Sequence, residues 1–237
     1  MALVAADVGF RYDAGGPWVL EAVSLLVEPG TVVGLRGPSG AGKTTLTRIL
    51  TGLRMPGRGR VTVDGVAVAT RRGRMDGRVG LVHQSPRTAT DPRRRLERII
   101  TEPIRHGAGR ADRAGRAGPA DRTDRVTAAS LARRAGLTED LLDRLPGQVS
   151  EGQLQRACLA RSLAAAPDYL ICDEPTAMLD AAATATIAHL LRGLAAAGTG
   201  VLVVSHDRLL LGAFADRVLE LEELERTGRP AAEPGTA

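Results

Sequence analysis

The chain has 237 residues, of which 43% are hydrophobic and 25% are charged, so it can form one or two packed domains and is not a disordered polyelectrolyte. Its formal net charge is +5, but only 2% of its residues are aromatic, which argues against base stacking and a nucleic acid partner. The sequence has neither an apolar run of the roughly 18–20 residues that span a bilayer nor a basic and apolar leader, so we expect a soluble, cytosolic protein.

Lysine occurs once in the chain, and arginine supplies the other 31 of the 32 basic residues. The single lysine, Lys43, lies in a segment that fits the phosphate-loop (P-loop) pattern G-x-x-x-x-G-K-[ST]. An apolar run at residues 31–35 predicts a strand before this segment, and residues 45–50 are compatible with a helix after it. The order strand, loop, helix is the one that the pattern requires.

Each residue type in the predicted P-loop suits phosphate binding. Glycines let main-chain N–H groups approach phosphate oxygens, and the positive end of the following helix faces the anion. Lys43 supplies a compact charge for the β- and γ-phosphates, and the Thr44 hydroxyl is suited to Mg²⁺. The predicted nucleotide contacts are Gly37, Pro38, Ser39, Gly40, Ala41, Gly42, Lys43, Thr44 and Thr45.

The middle of the chain contains one predicted loop and several apolar periodic segments. Residues 107–125 are rich in Gly, Asp and Arg and lack large apolar side chains, so we expect a mobile loop there. Helical periodicity resumes at residues 126–135. The two cysteines, Cys158 and Cys172, lie in apolar periodic segments and are expected to be buried free thiols.

A second chemical motif is the apolar run at residues 169–172, which is followed by Asp173 and Glu174. Such a run predicts a buried parallel strand, and ligands of open α/β sheets bind at the carboxyl ends of their strands. A P-loop hydrolase needs a carboxylate for the metal and a group that orients the attacking water. We assign Asp173 to Mg²⁺ and Glu174 to the water, although an acidic pair before Pro175 could by itself begin a surface turn.

Together, these motifs resemble the ATP-binding cassette (ABC) family over most of the chain. Four more positions are similar to functional residues of that family. The resemblance implies that Gln84 contacts Mg²⁺ and the attacking water, His206 contacts the γ-phosphate, Asp180 belongs to the D-loop, and Tyr12 stacks on adenine. It also implies that the chain is an ATPase that uses ATP and Mg²⁺, with Glu174, His206 and Gln84 as its catalytic residues.

The family's signature motif, LSGGQ, is similar to Val149, Ser150, Glu151, Gly152 and Gln153. Valine for leucine is a mild exchange, but Glu151 stands where the family has a glycine. A carboxylate about 4 Å from a phosphate would cost from ~1 kcal/mol in water to ~4 kcal/mol at an effective dielectric constant of about 20. We therefore expect Glu151 to point away from the phosphate. The resemblance implies that Ser150, Gly152 and Gln153 bind the nucleotide.

The resemblance implies an α/β fold: a P-loop NTPase ABC cassette with a RecA-like core, a small antiparallel β subdomain and an inserted α-helical subdomain. It predicts a single domain at residues 1–226, with the core at 1–84 and 156–226, the helical subdomain at 85–155 and a disordered tail at 227–237. In this family the signature of one cassette closes over the P-loop of another. We therefore expect the chain to pair with a second ABC cassette.

Residues 85–105 resemble the segment that follows the Q-loop in importers of dipeptides, oligopeptides and nickel, with Asp91 in place of the usual Asn. The resemblance implies a subunit that energises import from the cytoplasmic face of the membrane. Its partners would be integral-membrane permease subunits and, indirectly, an extracytoplasmic substrate-binding protein. The arginine run at residues 93–95 could instead be a solvated helix start.

Two other functions remain open at this point. The chain could be a soluble ABC ATPase that couples nucleotide state to assembly of an enzyme complex, similar to the accessory cassettes of phosphonate breakdown. It could also be a scaffold that binds nucleotide without hydrolysing it; Glu174 and His206 argue against this, whereas Glu151 keeps it open.

Overall fold

The computed structural model describes residues 1–69, 77–105 and 128–228. The strands in these ranges are β1 (Leu3–Phe10), β2 (Leu20–Val27), β3 (Val32–Arg36), β4 (Arg58–Val63), β5 (Val66–Ala67), β6 (Val79–Val82), β7 (Tyr169–Asp173), β8 (Gly200–Val204) and β9 (Arg217–Glu220). The helices are α1 (Lys43–Leu50), α2 (Leu96–Ile100), α3 (Glu102–Arg105), α4 (Ala128–Arg134), α5 (Glu151–Ala164), α6 (Ala181–Ala196), α7 (Arg208–Phe214) and α8 (Leu221–Gly228).

The strands form two sheets of different kinds. An antiparallel sheet has the order β2-β1-β4-β5, and a parallel sheet has the order β6-β7-β8-β3-β9. Residues of β3, β7 and β8 are almost all buried, as expected for central strands that are covered on both faces. The α/β class, with a parallel core and a separate antiparallel sheet, is confirmed.

The parallel sheet lies between two apolar clusters. Side chains of neighbouring strand residues point to opposite faces, so Ile171 packs with the antiparallel sheet and α1, whereas Cys172 packs against α2 and α4–α7. The same alternation places Leu202 in the first cluster and Val203 in the second. This layering fixes the carboxyl edge of the parallel sheet, which carries the candidate site.

Helices α2, α3 and α4, and the start of α5, lie in the segment predicted to be the helical subdomain, residues 85–155. The exact division of the chain into core and subdomain stays a prediction. The expected mobile loop at 107–125 lies outside the described residues. Helix α8 ends at Gly228, two residues into the predicted tail, and the rest of that tail also lies outside the described residues.

Both cysteines are buried free thiols, as the sequence predicts. Burial raises the pKa of Cys158 to about 11 and also raises the pKa of Cys172, so both are neutral packing residues at physiological pH. Among the described residues, none of the helices combines the length and the apolarity that crossing a bilayer requires.

Candidate nucleotide-hydrolysis site

Four strands of the parallel sheet present the predicted site residues at one edge. The P-loop follows β3, Gln84 follows β6, Asp173 ends β7, Glu174 comes directly after it, and His206 follows β8. Because parallel strands share a direction, residues at their carboxyl ends meet on the same side of the sheet. The sheet thus gathers residues that are far apart in the sequence.

The P-loop leads from β3 directly into the N-terminus of α1. Gly40 and Gly42 have φ angles of 82° and 92°, in the left-handed region that glycine adopts without strain. Gly42 is the N-cap of α1, and no side chain caps this end of the helix. The first main-chain N–H groups of α1 are therefore suited to an anionic ligand.

Lys43 is folded over its own loop. Its ammonium donates hydrogen bonds to the carbonyl oxygens of Gly37 at 2.7 Å and Pro38 at 2.8 Å. These bonds hold the charge at the mouth of the P-loop, where phosphate oxygens would compete for the same donors.

Asp173 could hold a metal ion. It is 5% exposed, and its Oδ1 atom is buried without a hydrogen-bond partner among the described residues. An unpaired buried carboxylate oxygen is costly and fits a Mg²⁺ ligand or a water bound to that ion. The described residues contain no cluster of three or more His, Cys, Asp or Glu side chains that could hold a metal. The predicted ligands Thr44 and Gln84, together with nucleotide phosphates, could complete the coordination of an ion held by Asp173.

Thr47 is a site residue that the sequence reasoning missed. Its hydroxyl lies 3.3 Å from Oδ2 of Asp173 and 2.9 Å from the main-chain oxygen of Thr44. It therefore links the predicted metal ligands of β7 and α1. The available signal was a polar residue one helical turn after Lys43, among the apolar residues Leu46, Ile49 and Leu50.

Glu174 and His206 are in direct contact. The Oε2 atom of Glu174 lies 3.0 Å from Nδ1 of His206, and the carboxylate side chain is 12% exposed compared with 75% for the imidazole. Glu174 has a φ angle of 50°, a strained conformation that is common at functional sites. The hydrogen bond from its N–H to the Val204 oxygen at 2.9 Å holds it in that conformation. A carboxylate and an imidazole in contact at the sheet edge could position a water molecule.

Tyr12 lies beside the start of α1. Its hydroxyl is 3.1 Å from Oγ1 of Thr45, and the residue is 58% exposed. The ring packs edge-on against Phe10 at 5.1 Å, and the Arg54 guanidinium lies 5.0 Å from both ring centres. An exposed aromatic ring next to a predicted phosphate contact is suited to stacking on a base, and Arg54, which the sequence reasoning did not single out, supports that ring.

The signature segment forms the N-terminus of α5. Ser150 is the N-cap: its Oγ accepts from the Gln153 N–H at 3.2 Å, and the Gln153 side chain accepts from the Ser150 N–H at 2.8 Å. This reciprocal cap fixes the first turn of the helix. The Glu151 carboxylate is bound by the Nε of Arg87 at 2.8 Å.

The D-loop lies next to the signature segment. Asp180 is the N-cap of α6, and its Oδ1 accepts from the Ala183 N–H at 2.7 Å. A Cβ atom on Gly152 would lie 3.3 Å from that of Ala183, so the starts of α5 and α6 are in contact. Met178, between Glu174 and Asp180, is 92% exposed. The two motifs are therefore neighbours, and Ser150, Met178 and Asp180 are their exposed residues.

Comparison with curated proteins gives a consistent result. A model of the family described as ABC transporter matches residues 20–177. The chain is 33% identical over 232 residues to the nickel import ATP-binding protein NikE of Escherichia coli O157:H7, covering 93% of this chain and 83% of that protein. It is 39% identical over 216 residues to NikE of Rhodospirillum rubrum, covering 86% and 73%.

Solved structures agree on the fold. The chain is similar to the dimeric post-hydrolysis structure of the ATP-binding cassette MJ0796 bound to ADP and Pi, with a TM-score of 0.74, 28% identity, and coverage of 92% of this chain and 93% of that one. It is also similar to CbiO1 from Clostridium perfringens, part of the transporter complex CbiONQ, with a TM-score of 0.72, 26% identity and coverage of 92% and 83%. The chain therefore belongs to the ABC transporter family.

Proposed function

We propose that this chain is the ATP-hydrolysing subunit of an ABC importer for nickel or peptides. The contact between Glu174 and His206 beside the P-loop, with Asp173 one residue earlier, supports hydrolysis rather than nucleotide binding alone. Nickel is supported by the names of the relatives at 33% and 39% identity. Peptides are supported by the likeness of residues 85–105 to importers of both cargo types.

In the proposed mechanism the P-loop first positions the phosphates of ATP. Lys43 would exchange its two carbonyl contacts for phosphate oxygens, and Tyr12 would stack on the adenine. Thr44, Asp173 and Gln84 would hold Mg²⁺, which would supply positive charge to offset the negative charge of the phosphates. Most of the catalytic effect then comes from positioning and from charge stabilisation.

Hydrolysis requires a water molecule in line with the γ-phosphate. Glu174 would orient this water and accept its proton, because its carboxylate is largely buried yet held at the sheet edge by His206. Gln84 would contact the same water, and His206 would also bind the γ-phosphate. Ser150, Gly152 and Gln153, together with Asp180, would face the nucleotide of a second cassette.

The proposed assembly contains two cassettes and integral-membrane permease subunits, at the cytoplasmic face of the membrane. An extracytoplasmic substrate-binding protein would act on the permeases and contact this chain only through them. The dimeric ADP-bound cassette and the cassette from a transporter complex support this assembly. In it, cargo choice belongs to the other subunits, and this chain supplies the energy.

The assembly can be tested by capturing it. Tagged Glu174→Gln protein, which should bind ATP without turning it over, is purified with ATP from detergent-solubilised native cells, and the accompanying proteins are identified by mass spectrometry. We expect multi-span permeases, with or without a second kind of cassette. Recovery of soluble enzyme subunits alone, with no tagged protein in the membrane fraction, would contradict the importer proposal and favour an ATPase that assembles an enzyme complex.

A further inference from the structure

Glu151 puts a negative charge into the first turn of the helix that carries the signature segment. A carboxylate is favourable there in an isolated cassette, since the N-terminus of α5 carries a partial positive charge. It is unfavourable once that same N-terminus must accept a phosphate, because the two anions repel each other. A chain with glutamate at this position therefore needs a group that neutralises the carboxylate or holds it away from the phosphate.

Arg87 is in position to do so. Its Nε donates to Oε2 of Glu151 at 2.8 Å, and its Nη1 donates to the main-chain oxygen of Pro146 at 3.3 Å. One guanidinium thus binds a side chain within the signature segment and a main-chain oxygen shortly before it. The Arg87 side chain is 50% exposed and that of Glu151 is 30% exposed, so the pair lies at the surface that the motif presents.

The segment that carries Arg87 is bonded to α5 along much of its length. Ser162 donates to the Leu81 oxygen at 2.8 Å, Gln155 to the His83 oxygen at 3.2 Å, and Arg161 to the Ala89 oxygen at 2.5 Å. Gln84 lies within this segment, three residues before Arg87. Helix α5 thus holds the segment that carries Gln84, the predicted metal contact of one nucleotide site. The same helix begins with the signature segment, which would contribute to the other nucleotide site.

We propose that Arg87 is a positioning residue for ATP hydrolysis: it neutralises Glu151 and holds its carboxylate off the phosphate-binding face of α5. This inference rests on the proposed closure of two cassettes over ATP. Arg87 itself needs no contact with the nucleotide. A glycine at position 151 would place no negative charge near the phosphate. Arg87 achieves a similar result by pairing with the charge of Glu151.

A double-mutant cycle on ATP turnover tests this pairing. The full chain is purified with whatever subunits accompany it, in four versions: unchanged, Arg87→Ala, Glu151→Gln and Arg87→Ala/Glu151→Gln. We expect Arg87→Ala to raise the KM for ATP at least about fivefold, the effect of one unpaired charge some 4 Å from a phosphate in water, with a smaller change in kcat. Glu151→Gln should behave like the unchanged chain, and the double variant should recover most of the loss.

Salt dependence separates this role from a merely structural one. If charge repulsion causes the defect, the KM of Arg87→Ala should approach that of the unchanged chain as salt rises from about 0.05 to about 0.5 M. Arg133→Ala is the matched control, because it breaks an exposed ion pair with Glu139 in the same region of the chain. It should leave KM unchanged and give the same midpoint of thermal unfolding as Arg87→Ala.

Two results would overturn the proposal. One is an Arg87→Ala variant with unchanged KM, and the other is a double variant as impaired as Arg87→Ala alone, which would assign Arg87 to some other contact such as a permease. The cycle requires only ATP turnover, so the importer proposal can fail in the capture experiment without affecting this one.

Discussion

Glycine is required at position 42 for two separate reasons. Its φ angle of 92° is strained for any residue with a Cβ, and a Cβ there would lie 2.8 Å from the main-chain oxygen of Val19. Gly40 shares only the first feature, since its φ angle is 82° but a Cβ would meet nothing within 4 Å. The pair therefore separates the effect of strain from that of a clash within one loop.

We predict that Gly42→Ala weakens ATP binding at least about tenfold and destabilises the fold by about 1–3 kcal/mol, because relieving the clash displaces the N-terminus of α1. Gly40→Ala should lower the free energy of unfolding by about 1 kcal/mol and should weaken ATP binding less than Gly42→Ala does. The reason is that position 40 has only backbone strain and no clash. Equilibrium urea unfolding and ATP titration measure the two effects. Equal ATP affinity in the two variants would contradict the assignment of Gly42 as the residue that shapes the loop.

The sequence predicts site residues that belong to contiguous motifs, such as Lys43, Thr44 and Asp173. It does this because their chemistry depends on local order: a glycine-rich turn before a helix, or an acid after a buried strand. Thr47, Arg54 and Arg87 were missed, since each acts through a contact with a residue that is distant in the chain. Arg87 and Glu151 are 64 residues apart. The sequence contains many arginines, and nothing in it indicates which of them pairs with Glu151.

At the scale of elements, Asp216 joins the strand that precedes the P-loop to two neighbours. Its Oδ2 accepts from the Val32 N–H and from Nη1 of Arg192, each at 2.7 Å, and its own N–H donates to the Val32 oxygen at 2.8 Å. Asp216 thereby ties the start of β3 to α6 and to the entry of β9. The Val32 N–H and then Arg192 lower the pKa of Asp216 below its ordinary value.

We predict that Asp216→Asn lowers the free energy of unfolding by about 1 kcal/mol at neutral pH, a value reduced for the partial exposure of the carboxylate. Because folding lowers this pKa, the stabilisation is fully present above the ordinary value of 3.8 and is lost as the pH falls through the folded value. Urea unfolding of both forms at a series of pH values measures the difference. No difference at neutral pH would contradict this role.

Asp143→Asn is the matched control for that experiment. Asp143 also accepts from an arginine, Arg95, at 2.7 Å, but its side chain is 77% exposed and this ion pair ties down no strand. Exposed pairs of this kind contribute about 0–1 kcal/mol, so we expect the smaller effect here.

The elements were predicted more readily than their arrangement. Apolar runs in the sequence predict the buried strands β3, β6, β7 and β8. A strand that is covered on both faces has no alternation of polar and apolar residues. The spatial order β6-β7-β8-β3-β9 is not the chain order, because crossovers decide it. No motif in the sequence predicts that order, because it depends on contacts between strands that are distant in the chain.

At the scale of the whole molecule, the proposed function divides the site residues of this chain into two half-sites. The P-loop, Asp173, Glu174 and His206 meet at the sheet edge. The signature segment and the D-loop lie elsewhere, at the starts of α5 and α6, where Ser150 and Asp180 are exposed. A phosphate between the two halves would be enclosed only when a second cassette closes over it. ATP hydrolysis is therefore expected to depend on association.

Glu174 is the residue on which this account depends most directly, and Glu174→Gln keeps its size while removing its capacity to accept a proton. The measurement is ATP turnover, together with the amount of ATP retained after rapid gel filtration, for the unchanged and Glu174→Gln chains. We predict that turnover falls at least about a hundredfold, within the range for loss of a general base, while ATP is retained in a closed dimer. Multiple turnover by Glu174→Gln at the unchanged rate would contradict the assignment of Glu174 as the group that activates water.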